Sequence, residues 1–192
     1  YITSLINELK FRIKNYKSKE CKSVYIGGGT PSLLTQNQFT SIFDFIKNKL
    51  ELTKDYEFTV ELNPDDVTEE LLQFLNASII NRISLGIQSL DDSVLKFVKR
   101  RAGKKENLNA INLIEKFWKK EVSYDLISAL PLEKEKSFLE NLDFICSKKP
   151  DHISLYSLTV EEETELGKEI FSSRLDYDFE ENLALMNEEI SG

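Results

Sequence analysis

The chain has 192 residues, of which 41% are hydrophobic and 30% charged, so it is long enough for one domain with a substantial core. Its net charge of −8 argues against a nucleic-acid-binding protein, which usually carries a basic face. No apolar run approaches the roughly 20 residues that span a bilayer, and the first residues lack the apolar segment of a signal peptide. We therefore predict a cytoplasmic protein without a membrane span.

The spacing of apolar residues predicts helices that alternate with strands along the chain. The first helix is amphipathic, with apolar residues at Ile2, Leu5, Ile6, Leu9 and Ile13. Strands are predicted at 24–26, 58–62, 83–87, 122–127 and 153–158. The intervening helices begin at Thr35 in a capping box with Gln38, at Asp66 or Thr68, at Asp91 and near Glu106, and another contains Phe138, Leu142 and Ile145. A last helix is predicted at 178–190.

Strands separated by helical sequence are typical of right-handed βα units in a parallel sheet. Nearly every predicted strand ends in small or polar residues, namely the glycine run at 27–29 with Thr30, Glu61 and Asn63, Gly86 and Gln88, Asp125, and Tyr156 with Ser157. The strands of a βα barrel share one functional face at their carboxyl ends, whereas an open doubly wound sheet binds mainly at one switch point. The sequence thus favours an α/β fold with parallel βα units in a partial TIM-like barrel, over residues 1–192 as a single domain.

Several of these polar residues also have a purely structural interpretation. Glu61 could be a surface carboxylate on an edge strand, and Gln88 could be a helix-capping amide. Asp125 is harder to explain in this way, because a carboxylate inside a strand is costly unless it is paired or faces a cavity. The basic run at 99–101 is interpreted as a solvated helix end, and His152, the only histidine, as a structural residue.

The glycine run leaves the backbone open to close approach by another group. Its sequence matches neither a P-loop nor a dinucleotide fingerprint, but its amides could still hold a small polar ligand. Cys21 and Cys146 are far apart and lack metal-ligand spacing, so we predict neither a metal site nor a disulfide. The pattern favours a medium-sized polar ligand over a macromolecule.

Five segments of the chain resemble a known family when they are taken together. They occur in order between about residues 23 and 164 and read YIGGGTPSLL, FTVELNPDDVT, NRISLGIQSLDDSVLKFVKR, YDLISALP and DHISLYSLTVEEET. They are similar to the radical S-adenosylmethionine (SAM) proteins of the oxygen-independent coproporphyrinogen III oxidase group, which includes haem-chaperone relatives. The resemblance implies a partial TIM barrel with SAM lying across the carboxyl ends of the strands.

The resemblance also implies roles for individual residues. Gly28, Gly29 and Thr30 would contact the amino acid end of SAM, and Glu61 would accept hydrogen bonds from the ribose hydroxyls. Gln88, Arg100 and Asp125 match positions that hold SAM, or a second SAM in the true oxidases. Arg100 is a suitable carboxylate partner because a guanidinium group pairs with a carboxylate in bidentate fashion.

Chemistry in this family depends on a [4Fe–4S] cluster held by a Cys-x-x-x-Cys-x-x-Cys loop. An electron from the cluster cleaves SAM into methionine and a 5′-deoxyadenosyl radical, and an electron donor is therefore an implied partner. That loop is expected just before the first helix, whereas the sequence begins at Tyr1 and neither Cys21 nor Cys146 matches the motif. We therefore expect a core fragment without the cluster loop and the C-terminal domain, inactive by itself, and assign no catalytic or metal-binding residue.

Two departures from the family pattern stand out. Arg100 is followed by Arg101 and Ala102 where family members often have Arg-x-His, and Ala129 stands where glycine is usual. Both are compatible with the resemblance.

Within the family, the segments GGGTPS and GIQS look more like the haem-chaperone branch than the true oxidases, which read closer to GGGTPT and GVQD. A haem-chaperone-like protein with SAM and porphyrin or haem as ligands is therefore favoured. Two alternatives stay open. One is a true coproporphyrinogen III dehydrogenase, which decarboxylates two propionates to vinyl groups. The other is a barrel without a cluster that binds another small ligand.

Overall fold

A computed structural model describes residues 1–172 and Tyr177. In this part of the chain the elements are α1 (Ile2–Ile13), β1 (Glu20–Ile26), α2 (Gln36–Lys49), β2 (Glu51–Leu62), α3 (Glu69–Asn76), β3 (Arg82–Gln88), α4 (Asp92–Phe97), α5 (Lys104–Phe117), β4 (Glu121–Ser128), α6 (Glu135–Ser147), β5 (His152–Ser157) and α7 (Glu165–Phe171). Short 3₁₀ turns follow the first two strands. The helix predicted at 178–190 lies outside the described residues. Among the helices described, none is long and apolar enough to cross a membrane.

The five strands form one sheet in the order β1-β2-β3-β4-β5, and every neighbouring pair is parallel. Each strand therefore lies beside the next strand in the sequence, with no reversal of order and no topological switch point. The sheet curls into half of a barrel, as the sequence predicted, and the doubly wound alternative is excluded.

The two faces of the sheet differ in polarity because successive side chains of a strand point to opposite sides. The outer face is apolar and packs against the helices, with buried residues that include Phe58, Val60, Leu62, Ile83, Leu85, Ile87, Tyr124 and Leu126. Alternate positions such as Glu61, Ser84 and Asp125 lie on the opposite, concave face. Burial of each large apolar side chain stabilises the fold by about 1.5–3 kcal/mol, so this face determines the register of the strands.

Side-chain caps mark the starts of α2 and α3. Thr35 and Gln38 form the predicted capping box on α2, with a Thr35 amide to Gln38 Oε1 distance of 2.9 Å. The cap of α3 is Thr68, whose Oγ1 accepts a hydrogen bond from the Leu71 amide at 3.1 Å. Asp66, the other predicted candidate, instead accepts hydrogen bonds from side chains elsewhere in the fold.

Four elements differ from the sequence-based prediction, and the first is β1, which begins at Glu20 rather than at 24. Strand β2 begins at Glu51 rather than at 58, because its polar first half pairs with the start of β1 and the register then shifts at a bulge. Helix α5 begins two residues before Glu106, since the Glu106 side chain accepts a hydrogen bond from the Gly103 amide at 3.0 Å. The short helix α7 was not predicted.

Candidate functional site

A cavity of about 330 Å³ lies over the carboxyl ends of the strands, and every strand contributes to its wall. The residues that line it include Gly29 and Thr30 after β1, Glu61 in β2, Gln88 in β3, Asp125 in β4, Tyr156 in β5 and Arg100 after α4. Every predicted site residue except Gly28 therefore lines this one cavity. The parallel sheet brings these side chains together because all of its strands end at the same edge.

Gly28 lines a neighbouring groove of about 340 Å³ that runs beside α1 and β1. Its amide still contacts the site residues, since it donates a hydrogen bond to Oε2 of Glu61 at 3.0 Å. Gly28 and Gly29 have φ angles of 77° and 64°, in the left-handed region that side chains with a Cβ disfavour. The turn after β1 therefore favours glycine at both positions.

Glu61 is held by contacts to both of its carboxylate oxygens. The hydroxyl of Tyr25 donates to Oε1 at 2.8 Å, and the Gly28 amide donates to Oε2. A Cβ on Gly27 would lie 2.7 Å from the Glu61 carboxyl carbon and 2.6 Å from the Tyr25 ring, so Gly27 makes room for this pair. Partial burial and the neighbouring Glu61 raise the pKa of Tyr25, so the phenol remains a hydrogen-bond donor. Glu61 is therefore an anchored carboxylate on an interior strand, paired on both sides, and the edge-strand interpretation is wrong.

Asp125 is both paired and adjacent to the cavity, as expected for a carboxylate in a strand. Its Oδ2 accepts a hydrogen bond from Ser84 at 2.6 Å, and its Oδ1 lies 3.3 Å from the Ser123 hydroxyl. Burial raises the pKa of Asp125, the serine hydroxyls oppose this shift, and the charge on Glu61 reinforces it. The site thus combines two carboxylates in different environments.

Arg100 presents a partly buried guanidinium group to the cavity. Its Nη2 donates to the Gly86 carbonyl at 3.0 Å and lies 3.4 Å from Oδ1 of Asn63. Burial lowers the pKa of Arg100, and no ion pair to it occurs among the described residues. A desolvated guanidinium of this kind can bind a carboxylate of a ligand strongly.

Arg101 differs from its neighbour because it is committed to ion pairs within the protein. It contacts Asp65 at 3.0 Å and Asp66 at 2.9 Å in the turn after β2. Lys99 is exposed and pairs with Glu165. The interpretation of 99–101 as a solvated helix end is therefore wrong for Arg100, which faces the cavity, whereas Lys99 and Arg101 are exposed and form ion pairs at the surface.

Gln88 ends β3 at a bulge and has a φ angle of 67°. The nitrogen of its side-chain amide lies beside Gly86. A Cβ added to Gly86 would be only 2.8 Å from that nitrogen. Helix α4 is capped by Asp91, whose Oδ1 accepts from the Ser93 amide at 2.8 Å. Gln88 is thus a wall residue of the cavity, and its interpretation as a helix cap is wrong.

The part of the chain that the structure describes contains no group of three His, Cys, Asp or Glu residues that could hold a metal ion. Cys21 lies half-buried at the start of β1, and Cys146 is exposed near the end of α6. The described residues therefore do not supply the ligands of an iron–sulfur cluster.

Sequence reasoning did not identify Tyr25 and Ser84 as residues of the site, and it gave Gly27 no role beyond its place in the glycine run. Ser84 could have been found from the alternation in β3, because it lies on the same face as Gly86. No local signal identifies Tyr25, whose role depends on Glu61 in the next strand.

The fold, the glycine turn and the polar strand ends together define a radical SAM core. The chain belongs to the radical SAM superfamily, whose pattern it matches over residues 4–145. Among curated proteins it is similar to the heme chaperone HemW of Lactococcus lactis, with 34% identity over 164 residues that cover 85% of this chain and 42% of the relative. It is also similar to the heme chaperone HemW of Escherichia coli, with 32% identity over 167 residues, 87% of this chain and 44% of the relative.

Among solved structures, the coproporphyrinogen III oxidase HemN of Escherichia coli, described as a radical SAM enzyme, has the same fold. The TM-score is 0.82 at 22% sequence identity, and the match covers 100% of this chain and 44% of that one. The chain therefore spans less than half the length of these relatives. Both of these curated relatives carry the heme chaperone name, and the chain is more similar in sequence to them than to the coproporphyrinogen III oxidase, as the sequence predicted.

Proposed function

We propose that the cavity at the strand ends binds SAM and that the chain is the core of a haem-chaperone-like radical SAM protein. The observation that carries the proposal is the convergence of an anchored carboxylate, a glycine turn and a desolvated guanidinium at one cavity. These groups complement a ligand that carries hydroxyl groups at one end and an amino acid at the other.

The residues fit SAM in the following way. The Tyr25 hydroxyl and the Gly28 amide occupy one acceptor position on each oxygen of Glu61, and each oxygen keeps a further position for a ribose hydroxyl. Arg100 would bind the carboxylate of the methionine moiety, and the backbone around Gly29 and Thr30 would contact the same end of the ligand. Gln88 and Asp125 would form the remaining polar wall.

A [4Fe–4S] cluster supplies the electron for SAM cleavage in radical SAM proteins. No ligand set for it exists among the described residues, so its cysteines would have to come from elsewhere in the protein. What the described residues can do is bind SAM, orient it and limit its exposure to water. An electron donor as partner and the cytoplasmic location stay predictions.

SAM binding is tested on the full-length protein by anaerobic calorimetry with Glu61→Ala and Arg100→Ala variants. We expect the affinity for SAM to fall by about tenfold or more in each variant, because each removes a charge-assisted contact. The matched controls are Glu70→Ala on the exposed face of α3 and Arg12→Ala on the exposed face of α1. If the wild-type protein does not bind SAM, a barrel that takes another small ligand becomes the better account.

The haem branch is tested separately with the same protein. We expect stoichiometric haem binding, followed by its visible absorption, and no conversion of coproporphyrinogen III when SAM and a chemical reductant are supplied. Decarboxylation of the substrate propionates with SAM consumption would support the oxidase instead. If the protein binds SAM but neither binds haem nor converts coproporphyrinogen III, only the SAM-binding part of the proposal stands.

A further inference from the structure

A buried polar cluster lies next to the carboxyl end of β3, outside the residues assigned to SAM. It consists of Ser89, Asn107, Glu133 and Asn141, which are at most 9% exposed. Ser89 follows β3, Glu133 follows β4, and the two asparagines lie in α5 and α6. We call these four residues the Ser89 cluster.

Ser89 is the common contact of this cluster. Its hydroxyl donates to Oε1 of Glu133 at 2.8 Å and accepts from Nδ2 of Asn141 at 3.3 Å and from the Asp91 amide at 3.2 Å. Its carbonyl accepts from Nδ2 of Asn107 at 2.9 Å. Both the side chain and the backbone of Ser89 are therefore fixed.

The backbone around the cluster is strained. Gln88, which immediately precedes Ser89, has a φ angle of 67°, and Ala129 and Leu132 in the loop that carries Glu133 have φ angles of 58° and 70°. Left-handed conformations of residues other than glycine persist only where the surrounding structure imposes them. The contacts of Ser89 provide such a constraint for Gln88, whose side chain lines the candidate site.

We propose that Glu133 is a positioning residue, which acts through Ser89 to hold Gln88 in the conformation that forms the wall of the candidate site. Glu133 does not line the cavity, so its effect on a ligand passes through its neighbours. The part of the proposal that concerns ligand affinity rests on the proposed binding of SAM.

The cluster is satisfied best when Glu133 carries a proton. Oε2 of Glu133 and Oδ1 of Asn107 are buried acceptors without a donor among the described residues. A neutral carboxyl group adds a donor to the cluster, whereas an ionised one would place a buried negative charge whose hydrogen bonds do not offset its desolvation. Burial raises the pKa of Glu133 to about 7. The charge on Asp91 contributes to this rise in pKa, hydrogen bonds from Ser89 and the Leu130 backbone oppose it, and Tyr177 also interacts with Glu133.

The first test is a double-mutant cycle on the full-length protein, with SAM affinity measured near pH 6. We expect Glu133→Ala to weaken SAM binding about tenfold in the wild-type background and less than about twofold in the Gln88→Ala background. Glu133→Gln should bind SAM with wild-type affinity, because a glutamine side chain has the shape of a protonated glutamate and its NH₂ group replaces the carboxyl O–H as donor. Ser89→Ala removes only the hydroxyl and should reproduce the loss if Glu133→Ala fails to fold. The control is Glu140→Ala on the exposed face of α6.

An equal loss of affinity in both backgrounds would overturn the proposal, because a general structural effect does not depend on Gln88.

The second test needs no ligand. In the full-length protein without SAM, the amide NMR signals of Gln88 and Ser89 should titrate with a midpoint near pH 7, and Glu133→Gln should abolish the titration. Signals that do not respond to pH would count against the role of Glu133. A titration in a protein that binds no SAM would support that role and refute the proposed function.

Discussion

Tyr25 and Glu61 are joined by a 2.8 Å hydrogen bond between neighbouring strands, in which the phenol donates to Oε1 of the carboxylate. The Gly28 amide holds the other oxygen, so the carboxylate is oriented before any ligand arrives. Preorganisation of this kind increases affinity because less conformational freedom is lost on binding.

Tyr25→Phe should weaken SAM binding by about fivefold, since it removes one hydrogen bond to a charged group at a site that remains half-exposed. Calorimetry with SAM would measure the change. Tyr16→Phe is the matched control, because Tyr16 is exposed on the surface after α1. Equal affinities for the two variants would show that Glu61 does not need its phenol partner.

Glycine substitutions should separate backbone strain from steric displacement in the turn after β1. Gly28→Ala should lower the free energy of unfolding by about 1–2 kcal/mol, because its φ of 77° disfavours a Cβ although no heavy atom lies near. Gly28→Asn should cost less, since asparagine tolerates this conformation. Gly27→Ala should instead change the free energy of SAM binding more than the free energy of unfolding, since its Cβ would displace Tyr25 and Glu61. Urea unfolding and calorimetry measure the two effects, and the opposite ranking would contradict this account.

Arg100→Ala should discriminate between two ligands that share the adenosine moiety. We expect about tenfold weaker binding of SAM and less than about twofold weaker binding of 5′-methylthioadenosine, which has no carboxylate for the guanidinium to pair with. Titration of both ligands measures the difference. Equal losses for both would place Arg100 away from the amino acid end. Arg12→Ala, on the exposed face of α1, serves as the control.

Glu133→Gln should change how stability depends on pH. Because burial raises the pKa of Glu133 from 4.5 to about 7, the folded state binds this proton more tightly than the unfolded state. The resulting stabilisation is fully present below about pH 4.5 and is lost as the pH rises through about 7. Relative to Glu133→Gln, the wild-type protein should therefore lose roughly 2 kcal/mol of unfolding free energy between pH 5 and pH 8.

Urea unfolding of both proteins at several pH values measures this difference. Glu140→Gln should follow the wild-type curve, since the Glu140 side chain is mostly exposed. Parallel curves for wild type and Glu133→Gln would show that Glu133 ionises as readily in the folded state as in the unfolded state.

The sequence alone determined the alternation of helices and strands, the parallel barrel-like sheet and most residues of the candidate site. The reason is local, because apolar periodicity identifies each element and the handedness of βα units places all strand ends on one face. Glu61, Gln88 and Asp125 could be grouped without any knowledge of their contacts, since each lies at or near the carboxyl end of a strand.

Only the tertiary structure decided which side chains meet. Arg100 and Arg101 are identical in type and adjacent in sequence, yet one faces the cavity and the other pairs with Asp65 and Asp66. The contacts between Tyr25 and Glu61 and between Ser89 and Glu133 join residues from different strands and loops. Such pairs depend on the register of neighbouring strands and on the path of each loop, which are set by the packing of the whole sheet against its helices and not by the residues nearby in sequence.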